Sequence, residues 1–132
     1  MTLSATMLAA VAAGGACGAV ARYLVGIATL TALGPGFPLA TILVNVIGSF
    51  AMGALVAAAA LRFDMPPELR GLLAVGFLGA FTTFSTFSLD AVTLFERGRW
   101  LAAASYVTIS VVLSIAALIA GLTIVRKLAA TD

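Results

Sequence analysis

The sequence predicts an all-α membrane protein with four transmembrane helices per chain. Of the 132 residues, 63% are hydrophobic and only 9% are charged, whereas a soluble domain has about 45–50% apolar and about 25% charged residues. Seven basic and five acidic side chains are too few to cover a water-soluble monomer of this length. The charges also leave long apolar runs between them, and a helix needs about 20 mostly apolar residues to span a bilayer.

The first two helices are separated by a loop rich in proline and glycine. The charge-free run 23–61 is too long for one helix, and residues 34–38 read Gly-Pro-Gly-Phe-Pro, which cannot continue a helix. We therefore predict a first helix over about 5–31 and a second over about 38–62. A signal peptide begins with positively charged side chains, and here no positive side chain precedes Arg22. We therefore assign the N-terminus to the membrane domain.

Two further helices complete the predicted fold. A polar, proline-containing loop over 63–68 precedes a third helix at about 70–96, and the short turn Arg97-Gly98-Arg99 leads to a fourth at about 100–126. Residues 1–132 then form a single four-span membrane domain, with nothing left over for a separate soluble domain.

Composition also excludes several kinds of function. One cysteine (Cys17) and no histidine exclude an internal disulfide framework and a His/Cys zinc cluster, and they remove the usual base of a serine triad. A net charge of only +2, with most basic residues at predicted helix ends, argues against nucleic-acid binding. We expect neither an enzyme nor a nucleic-acid partner.

The basic residues give only a weak signal for orientation. Four of them fall on the side of the two termini and the 63–69 loop, and two or three on the other side. In chain order, the first set is Arg62, Arg70, Arg126 and Lys127, and the second is Arg22, Arg97 and Arg99. So small a bias would let the chain insert both ways and pair as antiparallel copies, although a single orientation fits the count equally well.

Polar residues inside the spans are the strongest candidates for function, because they are costly in lipid. Thr41, Asn45 and Ser49 are spaced by four on one face of the second helix, where interhelical hydrogen bonding is the simpler interpretation. A second stripe, on the fourth helix, consists of Tyr106, Ser110 and Ser114. Serine hydroxyls often bond the carbonyl four residues back, but neutral donors in a row would also suit an anion that is held weakly.

The third predicted helix contains a segment that we do not expect to be continuously helical. Residues 76–88 combine glycines, paired threonines and four phenylalanines, and we predict a break within 79–83. Non-helical backbone in a membrane must be buried in protein or line a cavity, and it exposes carbonyl oxygens suited to a small cation. Phe84 and Phe87, three residues apart, could direct positive ring edges at an anion. Core packing around a tolerated kink is the simpler alternative.

Two charges and two glycines within the spans complete the candidates. Arg22 and Asp90 lie at matching depths in the first and third helices, so we predict that they form an ion pair, with Arg22 also able to attract anions at a pore vestibule. Gly14 and Gly18 form a small-xxx-small pair that lets helices approach closely, either within one chain or in a dimer.

Three segments carry a resemblance to a known family. They are residues 14–23, 41–50 and 76–88, and the last contains the string Gly-Phe-x-Gly-x-x-Thr-Thr-Phe-Ser-Thr-Phe. In these segments the chain resembles the CrcB (Fluc) fluoride channels, and the resemblance extends over nearly the whole length. One small departure is Ala40, where many relatives have glycine.

The resemblance implies a passive fluoride channel that lets fluoride leave the cytoplasm across the cell (inner) membrane. It implies an antiparallel, dual-topology homodimer in the bilayer, with two fluoride pathways and a third helix broken in mid-membrane. It also implies a central structural sodium ion held by the backbone carbonyls of Gly79 and Thr82. The implied fluoride pathway consists of Asn45, Phe84, Phe87, Tyr106, Ser110 and Ser114.

Two other functions remain open from the residues alone. A small proton-coupled multidrug exporter has a similar length and layout, but it needs a carboxylate in its first span, and this first span has none. A non-transporting membrane scaffold would have the same composition and show no ion flux. These alternatives are distinguished by the position of acidic residues and by flux measurements.

Overall fold

The computed structural model describes residues 4–61 and 65–131, and within them the chain contains helices and no strand. In this described part of the chain, four helical spans are long and apolar enough to cross a membrane, which confirms the predicted all-α class and the number of spans. Arg62, which closes the predicted second helix and counts in the orientation signal, lies outside the described residues. The spans are Ala5–Leu33, Leu39–Leu61, Pro67–Glu96 and Trp100–Ala130.

Local sequence signals set the ends of the first span and the loop that follows it. The hydroxyl of Ser4 accepts a hydrogen bond from the Met7 N–H at 3.4 Å and caps the helix start. Gly34 ends the helix with φ 73°, a left-handed value that glycine adopts without strain. Arg99 donates from Nη1 to the Gly36 carbonyl at 2.7 Å. The loops 34–38 and 97–99 therefore lie together at one end of the molecule.

The third span consists of two helical halves joined by extended backbone. The first half includes a π-helical stretch, Gly71–Leu78, and ends at Phe81. Thr82 (φ −82°, ψ 159°) and Thr83 (φ −154°, ψ 120°) are extended, and the second half is Phe84–Glu96. The Thr83 hydroxyl caps this second half by accepting from the Thr86 N–H at 3.2 Å. The Thr82 N–H still donates to the Leu78 carbonyl at 3.0 Å, and the helical hydrogen-bond pattern is interrupted from Thr83, whose N–H donates to Asn45 instead.

Glycines allow close packing of the spans in two places. The second and fourth spans make the most extensive contact, and a Cβ at Gly53 or Gly121 would overlap a backbone carbonyl of the opposite helix. The first span packs against the first half of the third, where a Cβ at Gly14 would overlap the Leu72 carbonyl and one at Gly18 the Phe77 carbonyl. The pair Gly14 and Gly18 thus packs two spans together within one chain.

The predicted ion pair between Arg22 and Asp90 is not formed among the described residues. Asp90 Oδ2 instead accepts hydrogen bonds from the Thr41 hydroxyl at 2.7 Å and the Tyr106 hydroxyl at 3.0 Å. The reason lies in the interruption of the third span, because the first span packs on its first half while the second half, which contains Asp90, packs on the fourth span. The two charges match in depth but belong to different helix–helix contacts.

The glycine contacts predict unequal effects of two neighbouring substitutions in the first span. Gly18→Ala places a methyl group against the Phe77 carbonyl, whereas a Cβ at Gly15 meets nothing within 4 Å. We expect Gly18→Ala to lower the free energy of unfolding by about 1–3 kcal/mol through overpacking, and Gly15→Ala to leave it within about 1 kcal/mol of the parent. Thermal unfolding of the purified variants in detergent measures both. Equal stabilities would contradict this packing.

Candidate functional site

A groove of about 360 Å³ lies where the second, third and fourth spans meet. We call it the polar groove, because hydroxyl and amide groups interrupt its otherwise apolar wall. Five of the six predicted fluoride-pathway residues line it, and the sixth, Tyr106, does not. Its lining is Asn45, Gly48, Ser49, Met52, Thr82, Thr83, Phe84, Phe87, Ser110, Val111, Ser114, Ile115 and Leu118.

Asn45 connects the second span to the interruption of the third. Its Nδ2 donates to the Thr83 carbonyl at 3.0 Å, and its Oδ1 accepts from the Thr83 N–H at 2.8 Å. One amide side chain thereby satisfies both backbone groups of an extended residue, which would otherwise be left without helical partners. The second N–H of the Asn45 Nδ2 group has no partner within the described part of the chain. Because Asn45 lines the groove, this N–H remains a free donor on the groove wall.

The hydroxyls of Ser110 and Ser114 are the most informative groups in the polar groove. Both oxygens are buried, and neither has a hydrogen-bond partner among the described residues. The alternative in which each serine bonds the carbonyl four residues back is therefore not the conformation observed. A buried hydroxyl without a partner costs about 1–3 kcal/mol, so both hydroxyls are left able to donate to a group that enters the groove.

The two candidate phenylalanines occupy different environments in the single chain. Phe87 is buried at 9% exposure and packs on the Tyr106 ring, with 5.4 Å between ring centroids. Phe84 is 78% exposed, and its ring lies 5.3 Å from that of Phe87 at an interplanar angle of 46°. Phe87 therefore contributes to the core as well as to the groove, whereas packing within this chain does not account for Phe84.

Tyr106 lies behind Phe87 and outside the groove lining. It is fully buried, and the Phe37 ring meets it edge-on with centroids 5.7 Å apart. Its hydroxyl and that of Thr41 both donate to Asp90 Oδ2. These three residues form a compact polar cluster, which continues the line of polar groups beyond Phe87.

The carbonyls of Gly79 and Thr82 stand at the interruption of the third span. In an unbroken helix their donors would be the N–H groups of Thr83 and Thr86. Here the Thr83 N–H donates to Asn45 and the Thr86 N–H to the Thr83 hydroxyl, so both donors are engaged elsewhere. Carbonyl oxygens of this kind are suitable ligands for a small hard cation. Among the described residues, no group of three or more His, Cys, Asp or Glu side chains could hold a metal.

Two residues that the sequence analysis did not select contribute to the groove. Thr83 is both the partner of Asn45 and the cap of the second half-helix, and a threonine three residues before the bonded Thr86 N–H is a signal for such a cap. Gly48 has no side chain to point into the groove, but a Cβ there would overlap the Thr82 side chain. It therefore permits the second span to approach the interruption closely.

The chemistry of the polar groove favours an anion held without full charges. Its lining contains no Lys, Arg, Asp or Glu among the residues that the structure describes, so none of these residues would trap an anion strongly or repel it with a carboxylate. Amide and hydroxyl donors and phenyl edges can replace part of the hydration shell of a small anion. A proton-coupled exporter would need a carboxylate at its site, and this groove has none.

Comparison with known sequences identifies close relatives. Residues 9–122 match the family described as CrcB-like protein, Camphor Resistance (CrcB). A protein of Rhizobium etli (strain CIAT 652) named fluoride-specific ion channel FluC is 54% identical over 119 residues, which cover 90% of this chain and 95% of the relative. One of Rhodospirillum centenum with the same name is 55% identical over 120 residues, covering 91% and 95%. FluC 1 of Nitrobacter hamburgensis is 52% identical over 123 residues, covering 93% and 98%.

Proposed function

The chain belongs to the CrcB-like protein family, and from this premise we propose that it is a fluoride-selective channel in the cell membrane. It acts by passive permeation, so that fluoride accumulated in the cytoplasm leaves down its electrochemical gradient. In bacteria such as those that contain the named relatives, this cell membrane is the inner membrane. The named relatives are ion channels. This chain is likewise a transport protein and not an enzyme.

The observation that carries this proposal is the pair of buried hydroxyls without partners, on Ser110 and Ser114. Fluoride is small and strongly hydrated, so a narrow pathway must offer donors that replace water. Neutral hydroxyl and amide donors bind it less tightly than a lysine would, and conduction requires that the ion be released again. The Asn45 amide and the two serines lie in one groove, as such a pathway requires.

We further propose that two copies pair in opposite orientations and complete the pathway between them. Phe84 supports this, because a ring that is 78% exposed beside a polar groove needs a covering surface. Large apolar side chains are also exposed elsewhere on the spans, among them Leu24, Val75 and Leu101, for contact with lipid or with the second copy. Reporters fused to the C-terminus should signal from both sides of the membrane, and a signal from one side only would contradict dual topology.

The Gly79 and Thr82 carbonyls fit the proposal of a structural sodium ion at the centre of the dimer. Their helical donors are engaged elsewhere, and the interruption, which we place in mid-membrane, would otherwise leave carbonyl dipoles unpaired. When bound, sodium would supply a positive charge to these carbonyl oxygens in place of the missing N–H donors. The chain's contribution is to hold the backbone at Thr82 and Thr83 in its extended conformation. If no ion density lay between the two interruptions of an experimentally determined dimer, the sodium site would be wrong.

A substitution at Phe84 distinguishes most clearly between a ring that contacts the ion and a ring that only packs. Phe84→Leu keeps most of the apolar volume, and swaps of this kind usually cost less than about 1.5 kcal/mol, but it removes the positive ring edge. We expect fluoride efflux from liposomes to fall by about tenfold or more while the size-exclusion profile stays that of the parent. Phe84→Met should retain more flux than Phe84→Leu, because methionine is polarizable. Parental flux through Phe84→Leu would assign this ring to packing alone.

A further inference from the structure

A cavity of about 280 Å³ lies between the second span and the first half of the third, on the side of the helix bundle. We call it the lateral cavity. None of its lining residues lines the polar groove, and all of those that the structure describes are aliphatic except one arginine. The lining is Leu55, Val56, Ala59, Ala60, Arg70 and Ala74.

The lateral cavity begins at the end of the spans and extends into the membrane. Arg70 closes the first helical turn of the third span, which begins at Pro67, and Ala60 comes just before the end of the second span at Leu61. Ala74 lies about one turn deeper than Arg70 on the same helix face. The arginine therefore stands at the level of the lipid headgroups, and the aliphatic wall continues from it towards the hydrocarbon.

Sparse contact and small side chains leave this space open. The second span packs mainly on the fourth, and the first half of the third span packs mainly on the first, so the two helix pairs meet only loosely here. The alanines at 59, 60 and 74 have no side chain beyond Cβ to fill the gap. Helices in a bilayer are surrounded by acyl chains and associate through van der Waals packing. An acyl chain is therefore the natural occupant of the aliphatic part.

Arg70 is the group that makes the lateral cavity more than a gap between helices. Its side chain is exposed, and its guanidinium makes no hydrogen bond or ion pair with any residue that the structure describes. A guanidinium presents a planar set of donors that matches the oxygens of a phosphate. No acidic side chain is among the described lining residues, and the nearby Glu68 does not line the cavity. The charge at this site is therefore complementary to a headgroup that is negative overall.

We propose that the lateral cavity binds one anionic phospholipid, with its phosphate on Arg70 and one acyl chain along the aliphatic wall. Basic pockets between transmembrane helices are suited to such headgroups. A second copy of the chain is the other candidate occupant. In the opposite orientation it would bring its 97–99 turn to this side of the bilayer, where Arg97 and Arg99 exceed the single acid Glu96. That excess positive charge would oppose contact with Arg70. The inference does not depend on which ion the polar groove conducts.

The test is native mass spectrometry of the purified protein in detergent, with dioleoylphosphatidylglycerol and zwitterionic dioleoylphosphatidylcholine as the two lipids. We expect the parent to bind phosphatidylglycerol about fivefold or more tightly than phosphatidylcholine, and Arg70→Gln to lose this preference. Arg70→Lys should keep most of it, because the positive charge remains. Ala60→Leu changes an exposed lining position and should weaken the binding of both lipids by narrowing the cavity. Size-exclusion profiles check that each variant is folded.

Arg126→Gln is the matched control for Arg70→Gln. Arg126 is also exposed and lies near the end of the fourth span on the same side of the membrane, but it does not line the lateral cavity. Its replacement should leave the preference for phosphatidylglycerol at the parental level. Inorganic phosphate, which offers the same oxygens without an acyl chain, should not compete with the lipid.

Four results would overturn the lipid site. A parent without a preference for phosphatidylglycerol, or an Arg70→Gln variant that keeps it, would show that Arg70 only extends to the membrane surface. An equal loss in Arg126→Gln would show that the preference follows net charge and not position. Competition by inorganic phosphate would indicate a site for a free anion. A shift from dimer to monomer in Arg70→Gln or Ala60→Leu, with lipid binding unchanged, would assign the cavity to contact between two copies.

Discussion

Replacing Ser110 and Ser114 together with alanine should reduce fluoride flux by on the order of a hundredfold and leave the fold as stable as before, or more stable. Both hydroxyls are buried without a partner. Each removed hydroxyl takes away a hydrogen bond to a charged ion, worth about 1.5–3 kcal/mol, and every 1.4 kcal/mol is about tenfold in rate or affinity. The same change removes an unsatisfied polar group from the protein interior, so the free energy of unfolding should not fall.

Ser105→Ala is the matched control for this double variant. Ser105 lies on the same span but does not line the polar groove, so its removal should change neither flux nor stability. Liposome efflux and thermal unfolding in detergent give the two readouts for each variant. A double variant that is destabilised but conducts at the parental rate per folded protein would show that the serines serve packing and not the ion.

Asn45→Leu should abolish most of the flux and also weaken the fold. The side chain keeps a similar size but loses both hydrogen bonds to Thr83, at 3.0 Å and 2.8 Å. The Thr83 N–H and carbonyl are then left unpaired at a cost of about 1–3 kcal/mol each. The extended backbone at the interruption loses its fixed position, and the groove loses its amide donor. We expect a fall in efflux of about a hundredfold or more.

Gly18→Ala is the control that separates a loss of stability from a loss of flux in Asn45→Leu. It should also lower stability, but its steric contact is with Phe77, away from the polar groove. Efflux per folded protein should remain at the parental level in Gly18→Ala and fall in Asn45→Leu. If the two variants lost flux in proportion to their loss of stability, Asn45 would be a structural residue only.

The sequence predicts which side chains share a face more reliably than what each one contacts. Spacing by four places Asn45 with Thr41 and Ser110 with Ser114, and three of these four line the polar groove. The Asn45–Thr83 pair joins residues 38 apart in sequence, and no local pattern encodes it. The Arg22–Asp90 prediction relied on depth alone and was wrong for the described chain, because the interruption directs Asp90 towards Thr41 and Tyr106.

Hydroxyl conformations show a second limit of reasoning from sequence. Ser88, Thr29 and Thr123 all donate to the carbonyl four residues earlier. Ser110 and Ser114 lie in equally apolar helix but make no such bond. The choice between these two rotamers depends on the space that neighbouring spans leave beside each serine, and this space is decided by tertiary packing. The sequence therefore predicts the stripe but not its availability to a ligand.

The most direct test of the central claim is efflux of fluoride from liposomes that contain the purified protein, measured beside chloride at the same gradient. We expect rapid fluoride efflux, chloride efflux no faster than from protein-free liposomes, and near-complete loss of fluoride flux in the Ser110→Ala, Ser114→Ala double variant. The lining supports this result, since it offers neutral donors and no fixed charge. Chloride and fluoride passing at similar rates, or a parent protein with no fluoride flux, would contradict it.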